Sequence, residues 1–181
     1  RFLQQTALES CAEADDEAAH YVDDSGVEWS NIARGKSYTS TGGAYDGDWT
    51  DTKADGTPLG KLTDGYACSD GADTLVGCYK GNEVEITVDL GGAFTVKRVT
   101  TDLFGNAGWG IPSPDDASVT FLISEDGAHF LPFGAGIAER ETGPDGWQRA
   151  VFACTAEEAV RASYVKVVYR LAGNFCWVSE I

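Results

Sequence analysis

The chain has 181 residues, 43% of them hydrophobic, enough for one domain with a substantial core plus an extension. Its 29 acidic and 13 basic residues leave a net charge of −16, a surface that repels phosphate backbones and anionic lipid and so argues against a nucleic-acid partner. No apolar run reaches the roughly 18 residues of a membrane span, so no membrane insertion is expected.

In chain order, residues 3 to 22 read as an amphipathic helix. Leu3, Ala7, Leu8, Cys11, Ala14, Ala18 and Tyr21 or Val22 recur at helical spacing, with Glu9, Glu13, Asp15, Asp16 and Glu17 between them. Asp23-Asp24-Ser25-Gly26 ends the pattern. The rest reads as strand and turn. Asn31 to Thr39 is a first strand, and a polar loop rich in Gly, Asp and Thr follows from Ser40 to Gly60. Glu83 to Leu90 alternates Val84, Ile86, Val88 and Leu90 on one face. Phe94 to Leu103 and Ser118 to Ser124 are further strands. Glu125-Asp126-Gly127 is a turn, after which His129 to Phe133 pairs back. Trp147 to Cys154, Tyr164 to Leu171 and Phe175 to Ile181 close the set, with a short helical turn over Ala156 to Arg161. Abundant glycine (22 residues) between short strands indicates an all-β sandwich, not a βαβ protein. The expected organisation is an N-terminal helical arm or linker over 1–30 and a sandwich over 31–181.

The five cysteines, Cys11, Cys68, Cys78, Cys154 and Cys176, leave at least one unpaired within a monomer. Cys68 and Cys78 flank one loop; Cys154 and Cys176 lie near the ends of the last strands. Two disulfides, as in an extracellular protein, and buried free thiols both remain open. His20 and His129 are the only histidines, and neither shares metal-ligand spacing with the cysteines, so structural zinc is not expected. The chain begins at Arg1 without a methionine and reads as a segment of a longer protein.

Six phrases carry a family resemblance. Asn31-Ile32-Ala33-Arg34-Gly35-Lys36 opens the sandwich, and Leu62-Thr63-Asp64-Gly65 sits about thirty residues into it. Val88-Asp89-Leu90-Gly91, Ser124-Glu125-Asp126-Gly127 with Phe130, Tyr164-Val165-Lys166-Val167 and Ser179-Glu180-Ile181 follow. In this order they resemble the discoidin, or coagulation-factor type C, domains and the bacterial family 32 carbohydrate-binding modules. Ser163 stands where arginine is usual. The resemblance implies a galactose-binding-domain-like jelly-roll β-sandwich with a structural calcium ion (Ca2+) at one edge. The ligands it implies are the Asp64 and Glu180 carboxylates and main-chain carbonyls around Lys61 and Tyr66, with Ser69 adding a carbonyl or hydroxyl. Such a set suits calcium, which takes about six to eight hard oxygen ligands.

Members of this group place ligands on loops at one end of the sandwich. Sugar recognition needs an aromatic face beside polar groups. Gly42 to Trp49 offers Tyr45 and Trp49; Phe104 to Pro112 offers Phe104, Asn106 and Trp109. A third loop carries Asn174, Phe175 and Trp177, one of whose aromatics is expected in the core, as is Trp147. Trp29 is a candidate anchor for the arm. The expected function is a non-catalytic carbohydrate-binding module of a larger secreted or cell-surface bacterial protein. A glycan and the linked domains would be its partners. The alternative is a protein-interaction, adhesion or spacer domain of the same fold. The chain shows no nucleophile elbow, phosphate loop or histidine zinc motif, and acid pairs such as Asp115-Asp116 and Glu157-Glu158 read as solvated turns.

Overall fold

Apolar alternation is strictest between Glu83 and Leu90, and there Val84, Ile86, Val88 and Leu90 are all buried on one face of a strand. The computed structural model describes residues 20–45, 49–53, 55–67, 77–142 and 144–181. Eleven strands are described: β1 (His20–Val22), β2 (Glu28–Ser30), β3 (Ser37–Ser40), β4 (Gly43–Ala44), β5 (Gly77–Lys80), β6 (Glu83–Gly105), β7 (Ser118–Ser124), β8 (Leu131–Ala135), β9 (Ile137–Thr142), β10 (Gln148–Arg170) and β11 (Phe175–Val178).

The main sheet has the order β3-β6-β10-β7-β8, with β9 also pairing on β10. A second sheet runs β11-β5-β4, and β1-β2 is a hairpin. Every strand pair is antiparallel. The two sheets are consistent with a β-sandwich. Between them lies a core of Val84, Ile86, Val88, Phe121, Val167 and Tyr169 from the large sheet, met by Tyr79, Cys176 and Val178 from the small one. Each such Val, Ile or Phe contributes about 1.5–3 kcal/mol on burial. A second buried cluster, at the β6–β10 end that carries Phe104 and Trp147, is mostly aromatic: Phe104, Trp147 and Trp177, with Ile111 and Cys78.

The strands predicted separately over Glu83 to Leu90 and Phe94 to Leu103 are one 23-residue strand, β6, which stays paired to β10 beyond Gly91 (φ +73°) and Gly92. The same holds for Trp147 to Cys154 and Tyr164 to Leu171, which join in β10. The helical turn expected over Ala156 to Arg161 is therefore absent. Those residues remain in β10, and the register against β6 slips between Thr155 and Val160. Local helix preference in this Ala- and Glu-rich stretch yields to ladder hydrogen bonds on both flanks.

At the N-terminus, residues 3–19 of the expected helix lie outside the described residues. Its end is corrected: Tyr21 and Val22 lie in β1, opposite Trp29 and Glu28. The hairpin turn is built on Asp23, whose carboxylate accepts the Ser25 and Val27 amides, each at 3.0 Å, and the Trp29 indole N–H at 3.0 Å. Arg98 of β6 sits 4.8 Å over the Tyr21 ring and ties the hairpin to the sandwich. The first predicted strand is shorter than expected. Asn31 accepts the Ala33 amide at 2.8 Å in a local turn, and pairing with β6 begins at Ser37.

Cys78, Cys154 and Cys176 are free thiols, so of the two alternatives left open by the sequence these three take the free-thiol one, and Cys154 and Cys176 form no bridge. Cys176 lies wholly in the core on β11, whereas Cys154 on β10 turns its sulphur toward the Phe133 carbonyl, 3.9 Å away. Cys11 and Cys68 lie outside the described residues. Among the described residues no helix is long and apolar enough to cross a membrane.

Candidate functional site

Two places on the sandwich gather the residues singled out by sequence. The first is the acidic edge. Lys61–Thr63 form a single 3-10 turn between Gly60 (φ +95°) and Gly65 (φ +90°), a backbone path that glycine adopts without strain. The turn is sewn to both ends of the sandwich. The Gly35 amide donates to the Thr63 carbonyl at 2.5 Å, and the Ile181 amide donates to the Leu62 carbonyl at 2.9 Å. Asp64 accepts the Tyr66 amide at 2.8 Å, and Glu180 accepts the Gly65 amide at 3.4 Å. The two motifs, more than a hundred residues apart in sequence, therefore meet on one loop.

Two buried carboxylates hold this edge in place, and neither was singled out by sequence. Asp51 accepts the hydroxyls of Tyr38 at 2.5 Å and Tyr79 at 2.6 Å, and the Lys61 amide at 3.2 Å. Burial and the Asp51 charge push both phenols well above their ordinary range. Asp102 on β6 accepts the Ser179 amide at 2.7 Å, the Ser179 hydroxyl, and the Glu180 amide at 3.3 Å. Arg149 on β10 donates to it at 2.9 Å. In sequence each is one acid among 29; only the fold turns them inward.

Among the described residues no group of three or more His, Cys, Asp or Glu side chains is placed to share a metal ion. Any cation here would rest on the Asp64 and Glu180 oxygens together with loop carbonyls, the all-oxygen donor set that calcium prefers. Ser69 lies outside the described residues. Lys61 and Tyr66 lie at the two ends of the loop that carries Asp64.

The second place is the aromatic end. Phe104 is buried 6.4 Å from the Trp147 ring, with the Arg149 guanidinium 5.9 Å from its face. Trp49 is half-buried, its ring 4.3 Å from Trp177 and 5.9 Å from Trp147. Tyr45 is half-buried and meets Phe175 edge-on at 5.6 Å, with Lys80 Nζ 5.7 Å over its ring. Trp147 and Trp177 are core, as expected for Trp147 and for one of the aromatics on the last strand. Burial pushes the neighbouring Cys78 thiol up to about 12, so it stays protonated at neutral pH.

Asn106 is 2% exposed and braces its own loop. Its Oδ1 accepts the Gly108 amide at 3.0 Å, and its Nδ2 donates to the Asp145 carbonyl at 3.2 Å. Its backbone bonds twice to Ile111, at 3.2 and 3.0 Å. Trp109 ends the 3-10 turn Ala107–Trp109 at the loop tip and is 71% exposed, whereas Phe104, Trp147 and Trp177 are buried and Tyr45 and Trp49 half-buried. Of the five residues named for ligand binding, Trp109 thus presents its face to solvent, Asn106 shapes the loop, and the other three pack at the aromatic cluster. The 144–146 turn beside them, with Asp145, was not singled out by sequence; the only signal was its Pro-Asp-Gly turn chemistry.

No protein-family model matches the chain, and no curated protein matches it. Solved structures do. A family 32 module of Clostridium perfringens in complex with GalNAc-β-1,3-galactose is 18% identical with a TM-score of 0.50; the match covers 79% of this chain and 90% of that one. A fucose-binding module of Streptococcus pneumoniae is 13% identical with a TM-score of 0.55, over 84% of this chain and 95% of that one. The lectin domain of lectinolysin complexed with Lewis B antigen is 20% identical with a TM-score of 0.51, over 85% and 95%. The chain thus has the galactose-binding-like, discoidin-type fold shared by these carbohydrate-binding modules and lectins.

Proposed function

We propose that this domain is a non-catalytic carbohydrate-binding module of a larger secreted or cell-surface bacterial protein. The observation that carries the reading is Trp109, an indole face 71% exposed on a loop whose two ends are buried in the aromatic cluster. A large aromatic on a rigid surface loop is ill-placed for stability and well placed to stack on the C–H face of a sugar ring. Loop rigidity lowers the entropic cost of binding. The structural neighbours that carry bound glycans support the same reading at the level of fold. The module would raise the local concentration of its glycan for domains linked to it.

A calcium ion at the acidic edge, held by Asp64 and Glu180 with carbonyls near Lys61 and Tyr66, is part of the proposal. Its role there is structural: it would clamp the 61–66 loop to the last residues of the sandwich. The meeting of Asp64 and Glu180 on one glycine-bounded loop supports it.

The test is tryptophan fluorescence titration with GalNAc-β-1,3-galactose, L-fucose and the Lewis B antigen. A saturable change with at least one glycan, abolished in Trp109→Ala, is the expected result. No response to any of the three overturns the reading. The alternative, an interaction or spacer domain, then takes over. It is favoured by Leu131 and Ile137, which are 67% and 78% exposed on β8 and β9, strands consecutive along the chain.

A further inference from the structure

Resting on the glycan-binding reading, we propose that Asp145 is the polar half of the recognition site, accepting hydrogen bonds from hydroxyls of a neutral sugar stacked on Trp109. Three observations and the chemistry of a carboxylate support it.

Asp145 is the one described non-glycine residue with positive φ (φ 55°, ψ 29°). Glycine takes this conformation freely, and an aspartate held in it costs stability that the turn itself does not require. The neighbouring Gly146 (φ +80°) shows that the turn already uses glycine where it is needed. An exposed non-glycine side chain in this conformation points to a use for that side chain.

A single buried amide joins this turn to the loop of Trp109. Asn106 Nδ2 donates to the Asp145 carbonyl at 3.2 Å while its Oδ1 accepts the amide of Gly108, the residue before Trp109, at 3.0 Å. Asn106 is 2% exposed and both bonds are partly buried, which reduces competition from water. One side chain therefore ties the backbone of the Asp145 turn to the backbone of the Trp109 loop.

Both segments also share a foundation. The Trp109 loop is rooted in Phe104 and Ile111, and the Asp145 turn runs directly into Trp147, all three in one buried cluster. Asp145 itself is exposed.

The chemistry is complementary. An ionised carboxylate only accepts hydrogen bonds, with two oxygens side by side, which matches a pair of sugar hydroxyls. With a net charge of −16 on the chain, such a site rejects anionic sugars and accepts neutral ones.

The test compares wild type with Asp145→Asn, Asp145→Gly and Trp109→Ala in fluorescence and calorimetric titrations with the same three neutral glycans, alongside thermal unfolding. Asn retains the side-chain shape and tolerates the left-handed backbone, while Gly removes both the carboxylate and the strain. The expected result is affinity reduced about tenfold in both Asp145 variants, as for loss of a charged hydrogen-bond acceptor, with Tm unchanged or raised in Asp145→Gly. Wild-type affinity in both variants, with binding still abolished by Trp109→Ala, overturns the role of Asp145 and leaves the glycan-binding reading standing. No glycan bound by the wild type overturns both.

Discussion

Asp102 and Ser179 are 77 residues apart in sequence, yet the Asp102 carboxylate accepts both the amide and the hydroxyl of Ser179 in a buried contact. Through the same carboxylate come the Glu180 amide and Arg149 Nε. This side chain, together with the Ile181 amide on the Leu62 carbonyl and the Thr101 hydroxyl on the Glu180 carbonyl, fixes where the last residues lie. Asp102→Ala removes the acceptor from three buried donors and a buried guanidinium. The expected loss is about 3–5 kcal/mol, the range for breaking a buried ion pair on one side. Urea unfolding of the variant against wild type measures it; a loss below about 1 kcal/mol would mean that the tail is held by other means.

The calcium proposal predicts a linked stability effect. If the ion clamps the 61–66 loop to Glu180, chelator lowers Tm and added calcium restores it. Asp64→Asn and Glu180→Gln should each abolish the calcium-dependent part of Tm. A Tm indifferent to chelator and to calcium would remove the ion from the account while leaving the Gly65–Glu180 contact in place.

The buried phenols make an alkaline limit. Tyr38, Tyr79 and Tyr169 have folded-state pKa values raised above the ordinary phenol value by burial first, and for Tyr38 and Tyr79 by Asp51 next. In the unfolded chain they ionise near about pH 10. Because folding raises these values, their contribution is fully present below about pH 10 and is lost as pH rises beyond it. Absorbance of phenolate at 295 nm should show these tyrosines ionising only together with unfolding, and Asp51→Ala should lower stability already at neutral pH. Simple titration of all seven tyrosines near pH 10 in the folded protein would contradict the buried network.

His129 and Asp126 form an exposed pair at 2.7 Å in the turn after β7. The hydrogen bond that His129 Nδ1 donates to the Asp126 carboxylate raises the His129 pKa, and the bond from the His129 amide is the largest of those that lower Asp126. For the histidine, the stabilising contribution is present below the ordinary value of about 6.5 and fades as pH rises through its folded value. For the aspartate, it is present above about 3.9 and fades as pH falls through the folded value. NMR titration of the two histidines should show one value above the ordinary range, returning toward it in Asp126→Asn. Both groups face solvent, so no measurable change in global stability is expected.

The five tryptophans span the whole range of burial, with Trp147 and Trp177 buried, Trp29 and Trp49 half-buried and Trp109 exposed. Trp177→Ala opens a cavity among Trp49, Trp147 and Cys78 and should cost about 3–5 kcal/mol. Trp109→Ala should change stability by less than about 0.5 kcal/mol, because its ring faces water. Fluorescence quenching by acrylamide should fall most in Trp109→Ala, which removes the most accessible indole; an equal fall in Trp177→Ala would contradict the burial of that ring.

The parts of this protein that its sequence determined are local. Alternation fixed Val84, Ile86, Val88 and Leu90 as one face, because a strand's two-residue period is written in neighbouring positions. Asp-Gly and Gly-rich turns, the acidic phrases at 62–65 and 179–181, and the position of Trp109 in a glycine-flanked loop were legible for the same reason. The discoidin-type order of phrases was legible as well, since it is an order along the chain. What lay beyond neighbouring residues was not. Ala156 to Arg161 looked helical on its own, and only the long β6 ladder holds it extended. Tyr21 and Val22 fitted a helix until Trp29 and Glu28 arrived opposite them. Cys154 and Cys176 were close to the same late strands, but the sandwich buries Cys176 wholly in the core and leaves Cys154 partly buried at its margin beside Phe133. Asp51, Asp102 and Asp145 are chemically ordinary acids in a chain of 29. Their partners come from 10 to 78 residues away, so the pairing at these positions exists only once the sheets have closed.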